Sequence, residues 1–102
     1  SVKLDFFERI HKVGDPKSAL GGLAFFQTEW ELRNVGEQTL RSLKLQYRLI
    51  DTNEKVMDTS ETIVAYSGTP EFSPGENRVV FGIKQLKDSH FARYEIHVIE
   101  AE

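Results

Sequence analysis

The sequence contains no cysteine. That excludes a disulfide-stapled scaffold and thiolate chemistry, and leaves the redox compartment open. It also lacks a long apolar run. The stretch Leu23-Ala24-Phe25-Phe26 is typical of the longest, against the roughly 20 residues a membrane-spanning helix needs. Any membrane attachment is therefore expected only through segments outside this chain. An excess of positive charge is missing as well: 13 Lys and Arg stand against 16 Asp and Glu, for a formal net charge of −3, with the signs mixed along the chain. A nucleic-acid partner is not expected without a basic stripe to neutralise phosphates. The chain begins at Ser1 with no signal-like stretch, so it is expected to be a processed chain or part of a longer protein. Internal repeats and low-complexity tracts are absent.

What is present is a period of two. Residues 43–49 read Leu43-Lys44-Leu45-Gln46-Tyr47-Arg48-Leu49, four apolar side chains on one face of a strand and three polar ones on the other. Residues 24–34 set Phe26, Trp30 and Leu32 against Gln27, Glu29, Glu31 and Arg33. Tyr94, Ile96 and Val98 alternate with polar neighbours, and Val79, Phe81 and Ile83 form a shorter run before them. Residues 55–65, rich in Thr and Val, read as an edge strand. In residues 2–13 the alternation breaks at Glu8, which predicts a strand with a bulge or a switch between sheets, with a short amphipathic helix as the alternative.

Turn chemistry divides these segments. Gly14 to Gly22 is a loop restrained by Pro16. Asn34-Val35-Gly36-Glu37 and Asp51-Thr52-Asn53-Glu54 carry side chains that bond nearby backbone. Gly68-Thr69-Pro70 and Ser73-Pro74-Gly75 enclose Phe72. The whole of 1–102 is expected to be one all-β domain, an antiparallel immunoglobulin-like β-sandwich of six to seven strands, the seventh near Tyr66. Its core is expected to comprise Phe26, Trp30, Leu32, Leu43, Leu45, Tyr47, Leu49, Val79, Phe81, Ile83, Tyr94, Ile96 and Val98.

Candidate chemistry is thin. His11, His90 and His97 lack metal-ligand spacing and read as surface residues. Ser67 and His90 have no nucleophile elbow around them. Asp51, Asn53, Glu54 and Asp58 bring oxygen ligands together, but they lack the glycine and distal glutamate of an EF-hand loop and read as a hairpin turn. Gly21-Gly22 precedes a strand, whereas a phosphate cradle feeds a helix. The expectation is a protein that is not an enzyme and has no cofactor.

The ordered set Asn34-Val35-Gly36, Leu43 to Asp51, the turn at Thr52-Asn53-Glu54-Lys55, Pro74-Gly75, Phe81 and Tyr94-Glu95-Ile96 resembles FxLYD-type and related immunoglobulin-like domains of bacterial envelope proteins. Leu49-Ile50-Asp51 stands in place of Leu-Tyr-Asp, and Asn53-Glu54 where a glycine is usual. The resemblance implies an extracytoplasmic accessory module, periplasmic, secreted or membrane-tethered, with no catalytic residues to transfer.

The expected function is thus a non-catalytic interaction or spacer module that binds a protein partner through a strand edge, residues 55–65 foremost, or through the 67–76 loop. Phe72, Tyr66 and Glu71 are the candidate contacts, with a plug at one end of the sandwich as the alternative for Phe72, and residues 68–73 are expected to be removable without loss of the fold. The alternative is a carbohydrate- or calcium-binding module that uses the loops of one end. The sequence assigns no oligomeric state.

Overall fold

A computed structural model describes residues 2–14, 25–86 and 91–102. Most of the predicted loop at 14–22, and His90, lie outside them. Six strands follow in order: β1 (Leu4–Gly14), β2 (Phe25–Asn34), β3 (Leu43–Ile50), β4 (Val56–Ala65), β5 (Asn77–Gln85) and β6 (Arg93–Ala101). They form two three-stranded sheets of order β1-β2-β5 and β4-β3-β6, antiparallel throughout. The sheets pack face to face as a sandwich-like pair around a core that joins Leu32 and Val80 of the first to Leu43, Leu45 and Ala65 of the second.

The pattern Leu43-Leu45-Tyr47-Leu49 makes β3 the central strand of its sheet, and all four side chains are buried. In β2, Phe26, Thr28, Leu32 and Asn34 are buried, and Trp30 is half-buried against the core. Residues 4–14 are strand throughout, so the helical alternative is set aside. The register passes from Glu8↔Trp30 to Ile10↔Glu29, leaving Arg9 as the extra residue of the expected bulge. Position 55–65 was read as an edge strand, and β4 lies at the edge of its sheet. No seventh strand forms near Tyr66; Thr69 N–H bonds to Tyr66 C=O at 3.0 Å and closes a turn instead.

The largest departure from the alternation is in β5. Val79, Phe81 and Ile83 were assigned to the core, yet they point outward, with Phe81 63% and Ile83 61% exposed. Val80 and Gly82 face inward, level with Trp30 and Thr28 of β2. The cause is Tyr47, whose ring fills the space above Gly82. A Cβ on Gly82 would lie 2.6 Å from Tyr47 Cε2 and 3.1 Å from Thr28 Cγ2. No larger side chain fits opposite a buried tyrosine, so the glycine fixes which face of β5 turns in. Gly82→Ala is expected to cost about 1–3 kcal/mol through overpacking, read as a lowered urea midpoint. In a Tyr47→Phe background the same cost should persist, because the ring carbons rather than the hydroxyl collide.

Val98 also leaves the expected core: it is exposed, whereas Tyr94 and Ile96 are half-buried. Val98 keeps the inward parity opposite Leu45, but it lies on the edge strand of its sheet, and the register shifts just after it, between Val98 and Glu100. In the 51–54 turn, Asp51 Oδ1 accepts the N–H groups of Asn53 at 2.8 Å and Lys55 at 3.0 Å. Glu54 takes φ 64°, the left-handed conformation that a glycine would adopt without strain.

Candidate interaction surfaces

One end of the sandwich is tied together around Asn34, which is 1% exposed. Its side-chain amide donates to the carbonyls of Gln38 at 2.9 Å and Phe72 at 3.0 Å, and its side-chain oxygen accepts Gly36 N–H at 3.1 Å. Its backbone binds the same loop, donating to Glu76 C=O and accepting from Gly75 N–H. Leu40 and Phe72 form an isolated antiparallel bridge with both backbone bonds made. Phe72 is therefore not a partner contact: its ring is 0% exposed and plugs this end of the core. The expectation that residues 68–73 could be removed freely falls with it.

Arg78 locks the outside of the loop. Its guanidinium stands 4.9 Å from the Phe72 ring centroid and donates to the carbonyls of Val64, Pro70 and Glu71 at 3.1, 2.9 and 2.7 Å. Nε bonds to Glu76 at 2.8 Å, and Ser73 N–H reaches the other oxygen of that carboxylate at 3.1 Å. The bond from Arg78, with help from Ser73, holds the Glu76 carboxyl below the usual carboxylate range. A planar fork serving this many acceptors is not reproduced by an ammonium. Arg78→Ala and Arg78→Lys are both expected to lower stability by about 1–3 kcal/mol and to speed amide exchange at residues 71–76; exchange left unchanged in either variant would argue against the clamp.

Tyr66 and Glu71, the other two predicted contacts, do come together. With Arg41, Ser42, Ser67, Gly68, Thr69 and Glu102 they line a shallow concavity of about 380 Å³. Tyr66 is exposed, Arg41 pairs with Glu71 at 3.3 Å, and the Thr69 hydroxyl is occupied by the Tyr66 backbone. The candidate calcium ligands do not converge. Asp51 caps its own turn, Glu54 pairs with Arg93, and Asp58 lies 3.7 Å from Lys84. Among the described residues no three His, Asp or Glu side chains are grouped as metal ligands would be.

His97 bonds to Glu95 at 2.9 Å on the polar side of β6, as its parity predicts. His11 is less simple than a surface histidine. Its ring packs at a tilt, its centroid 4.8 Å from that of Tyr94 and 5.4 Å from that of Phe26, in an aromatic cluster that also takes in Trp30 and Phe91. Tyr94 OH bonds to Glu8, so β1 and β6 meet across this edge through side chains. Burial, then the Glu8 carboxylate, pushes the Tyr94 hydroxyl up to about 12. Nearby, Thr28 Oγ1, Trp30 Nε1 and Tyr47 OH are buried with no hydrogen-bond partner among the described residues.

The strand edge favoured from sequence is partly covered. Thr62 Oγ1 of β4 donates to Phe81 C=O of β5 at 3.3 Å, and Arg78 and Lys84 of β5 reach Val64 C=O and Asp58 of β4. Those contacts hold the β4 and β5 edges against each other, leaving less of the β4 ladder open to another strand.

The surface that alternation did not reveal is the outer face of β1-β2-β5. The register aligns it in rows: Phe7, Glu31 and Val79 in one, Ile10, Glu29 and Phe81 in the next, then Gln27 beside Ile83. Phe7, Ile10, Val79, Phe81 and Ile83 are all exposed. Two apolar rails thus run on the outer strands, about 10 Å apart across β2. The opposite sheet presents Lys44, Gln46, Arg48, Glu61, Glu95 and His97 on its outer side, alternating with the buried or half-buried residues of β3, β4 and β6. The only sequence signal for the exposed rail was Gly82 itself, a glycine on the face that would otherwise look less apolar.

No family model matches the chain, and no curated protein matches it. Among solved structures it is similar to the putative ApaA protein from Bordetella pertussis, with TM-score 0.53 and 14% identity over 82% of this chain and 68% of that one. A structural-genomics target designated SoR45 aligns with TM-score 0.42 and 12% identity over 100% of this chain and 83% of that one. The first likeness concerns the fold. Among the described residues no helix is long and apolar enough to cross a membrane.

Proposed function

We propose that the chain is a non-catalytic protein-interaction module that docks through the outer face of β1-β2-β5. The observation that carries the reading is the exposed rail of Val79, Phe81 and Ile83, facing Phe7 and Ile10 across β2. Single exposed apolar residues are ordinary, but several aligned on one sheet face mark an interaction surface. This reading moves the contact from the 67–76 loop and the β4 edge to the sheet face. The loop is stitched into the core by Asn34, Phe72 and Arg78, and the edge lies against β5.

The strand order supports an immunoglobulin-like assignment within this proposal. First, second and fifth strands against fourth, third and sixth correspond to A, B, E against C′, C, F. An accessory module of FxLYD-like kind, working outside the cytoplasm, is consistent with that order. The test is a photo-reactive side chain at position 83, with position 46 on the opposite sheet as control, in the native host. Adducts to protein at 83 and none at 46 are expected; equal labelling at both would refute the reading.

One observation favours a second reading at the loop end. Exposed Tyr66 beside Arg41, Glu71 and Ser67 offers an aromatic platform with flanking polar groups, the kit a saccharide uses. A glycan bound there should raise the melting temperature of the wild type by mass action and leave Tyr66→Ala unmoved. A flat response across a glycan panel would remove this site.

A further inference from the structure

We infer that the partner of the β1-β2-β5 face is a second copy of this chain, the β5 rails of two copies meeting at the centre of a two-fold contact. The inference rests on the reading of this face as an interaction surface and adds the identity of the occupant.

Charge argues for it first. Asp5 stands directly across from Arg33 in the β1–β2 register, and Arg9 reaches Glu29 at 3.3 Å. Arg9 and Glu29 neutralise each other within the face, and Asp5 and Arg33 place opposite charges on neighbouring strands. Among the described residues Glu31 is the one charge of the central rows without a cation in ion-pair reach. A strongly basic or acidic partner would find little to steer it here. Apolar surface is what the face has to offer.

The chemistry of the remaining surface points the same way. The outer side of β4-β3-β6 exposes Ile63, but its rows are mixed: Ile63 lies beside Lys44 and Glu100, Glu61 beside Gln46 and His97, and Thr59 beside Arg48 and Glu95. A heterologous contact, rail against that second face, would set Phe81 and Ile83 on lysine, arginine and glutamate. Of the two described outer faces, the one that aligns apolar side chains along its strands is the face itself. Self-matching surfaces generate isologous two-fold dimers, and the contact closes without leaving a free rail to propagate.

Size is adequate. Three strands about 4.8 Å apart and about nine residues long give a footprint of roughly 14 by 30 Å. With side chains standing off the sheet this approaches the roughly 800 Å² of accessible surface that each partner gives to a standard interface. Sheet-on-sheet packing about 10 Å apart is also what the inner face already does. With the two-fold axis on β5 rather than β2, Phe81 and Ile83 of the two copies interdigitate, and the two Glu31 carboxylates are held apart at the flank.

The test is sedimentation equilibrium of the 102-residue chain over a wide concentration range, with Phe81→Glu, Ile83→Glu and the opposite-sheet control Gln46→Glu. The wild type and the control are expected to approach twice the monomer mass. Each rail variant should weaken association at least about tenfold while its melting curve stays cooperative. A variant that fails to fold is replaced by dilution of the wild type monitored by amide NMR, where shifts should be confined to Phe7, Ile10 and residues 79–83. A wild type that stays monomeric, a dimer that survives both substitutions, or dilution shifts on the opposite sheet would overturn the inference. If the chain is monomeric and position 83 still cross-links to a different protein, the second copy is refuted and the docking face stands. If position 83 captures nothing, both fail.

Discussion

Phe72→Ala is expected to lower the unfolding free energy by about 3–5 kcal/mol, the range for truncating a buried phenylalanine to alanine. The ring is 0% exposed and packs among Leu32, Leu40, Leu43, Leu45, Ala65 and Val80, so its removal opens a cavity in the larger of the two core clusters. It also takes away the surface on which the Arg78 guanidinium rests. Partial collapse of the loop would bring the loss toward the lower end. Urea denaturation followed by Trp30 fluorescence checks it, because Trp30 is packed against the same cluster. A loss under about 1 kcal/mol, the usual size for a surface substitution, would mean that Phe72 is a mobile loop residue as the flanking prolines suggest.

Asn34→Ala should cost roughly 2–4 kcal/mol, because three hydrogen bonds worth about 1 kcal/mol each go with the side chain. The carbonyls of Gln38 and Phe72 and the N–H of Gly36 would each lose their bond to the side chain. Asn34→Asp is the sharper variant. It keeps an acceptor for Gly36 N–H but sets a carboxylate oxygen against two carbonyl oxygens, so the neutral acid is favoured in the fold and the folded pKa rises above the unfolded value. Stability is then fullest below the unfolded carboxyl pKa and declines as pH rises through the folded one. A pH series of Asn34→Asp melting temperatures should therefore fall from acid to neutral relative to wild type. A flat difference would show that the amide donors do not bind these carbonyls. Phe72→Ala keeps the backbone carbonyl that Asn34 binds, but both residues hold the same loop against the core, so the double variant should lose less than the two single losses combined.

The strands were legible because period two is a local property. Leu43 to Leu49 needs no partner to declare its buried face, and the break at Glu8 announced the bulge at Arg9. Facing direction in β5 was not local. Val79, Phe81 and Ile83 form the more apolar of two alternating sets, and what turns them outward is a tyrosine thirty-five residues earlier whose ring needs the space over Gly82. The sequence left Phe72 open between a partner contact and a plug at one end of the sandwich. Pro70 and Pro74 make it read as a loop tip, while the groups that hold it inside, Asn34 and Leu40, are more than thirty residues away in sequence. Tyr66 and Glu71 were named from their loop and do share one concavity. The Arg41 and Glu102 that complete it come from segments whose approach depends on the closure of β6 onto β3. The face of β1-β2-β5 went unseen for the same reason as the parity of β5, since a rail counted as core leaves nothing outside.

Docking through the β1-β2-β5 face requires Phe81 to lie outside the core. Urea unfolding of Phe81→Glu, at a protein concentration low enough to exclude association, tests this directly. A ring on the solvent side predicts a change within about 0.5 kcal/mol of wild type. A loss of about 3–5 kcal/mol, as for a buried phenylalanine, would put the ring back between the sheets and leave no apolar rail for a partner to meet.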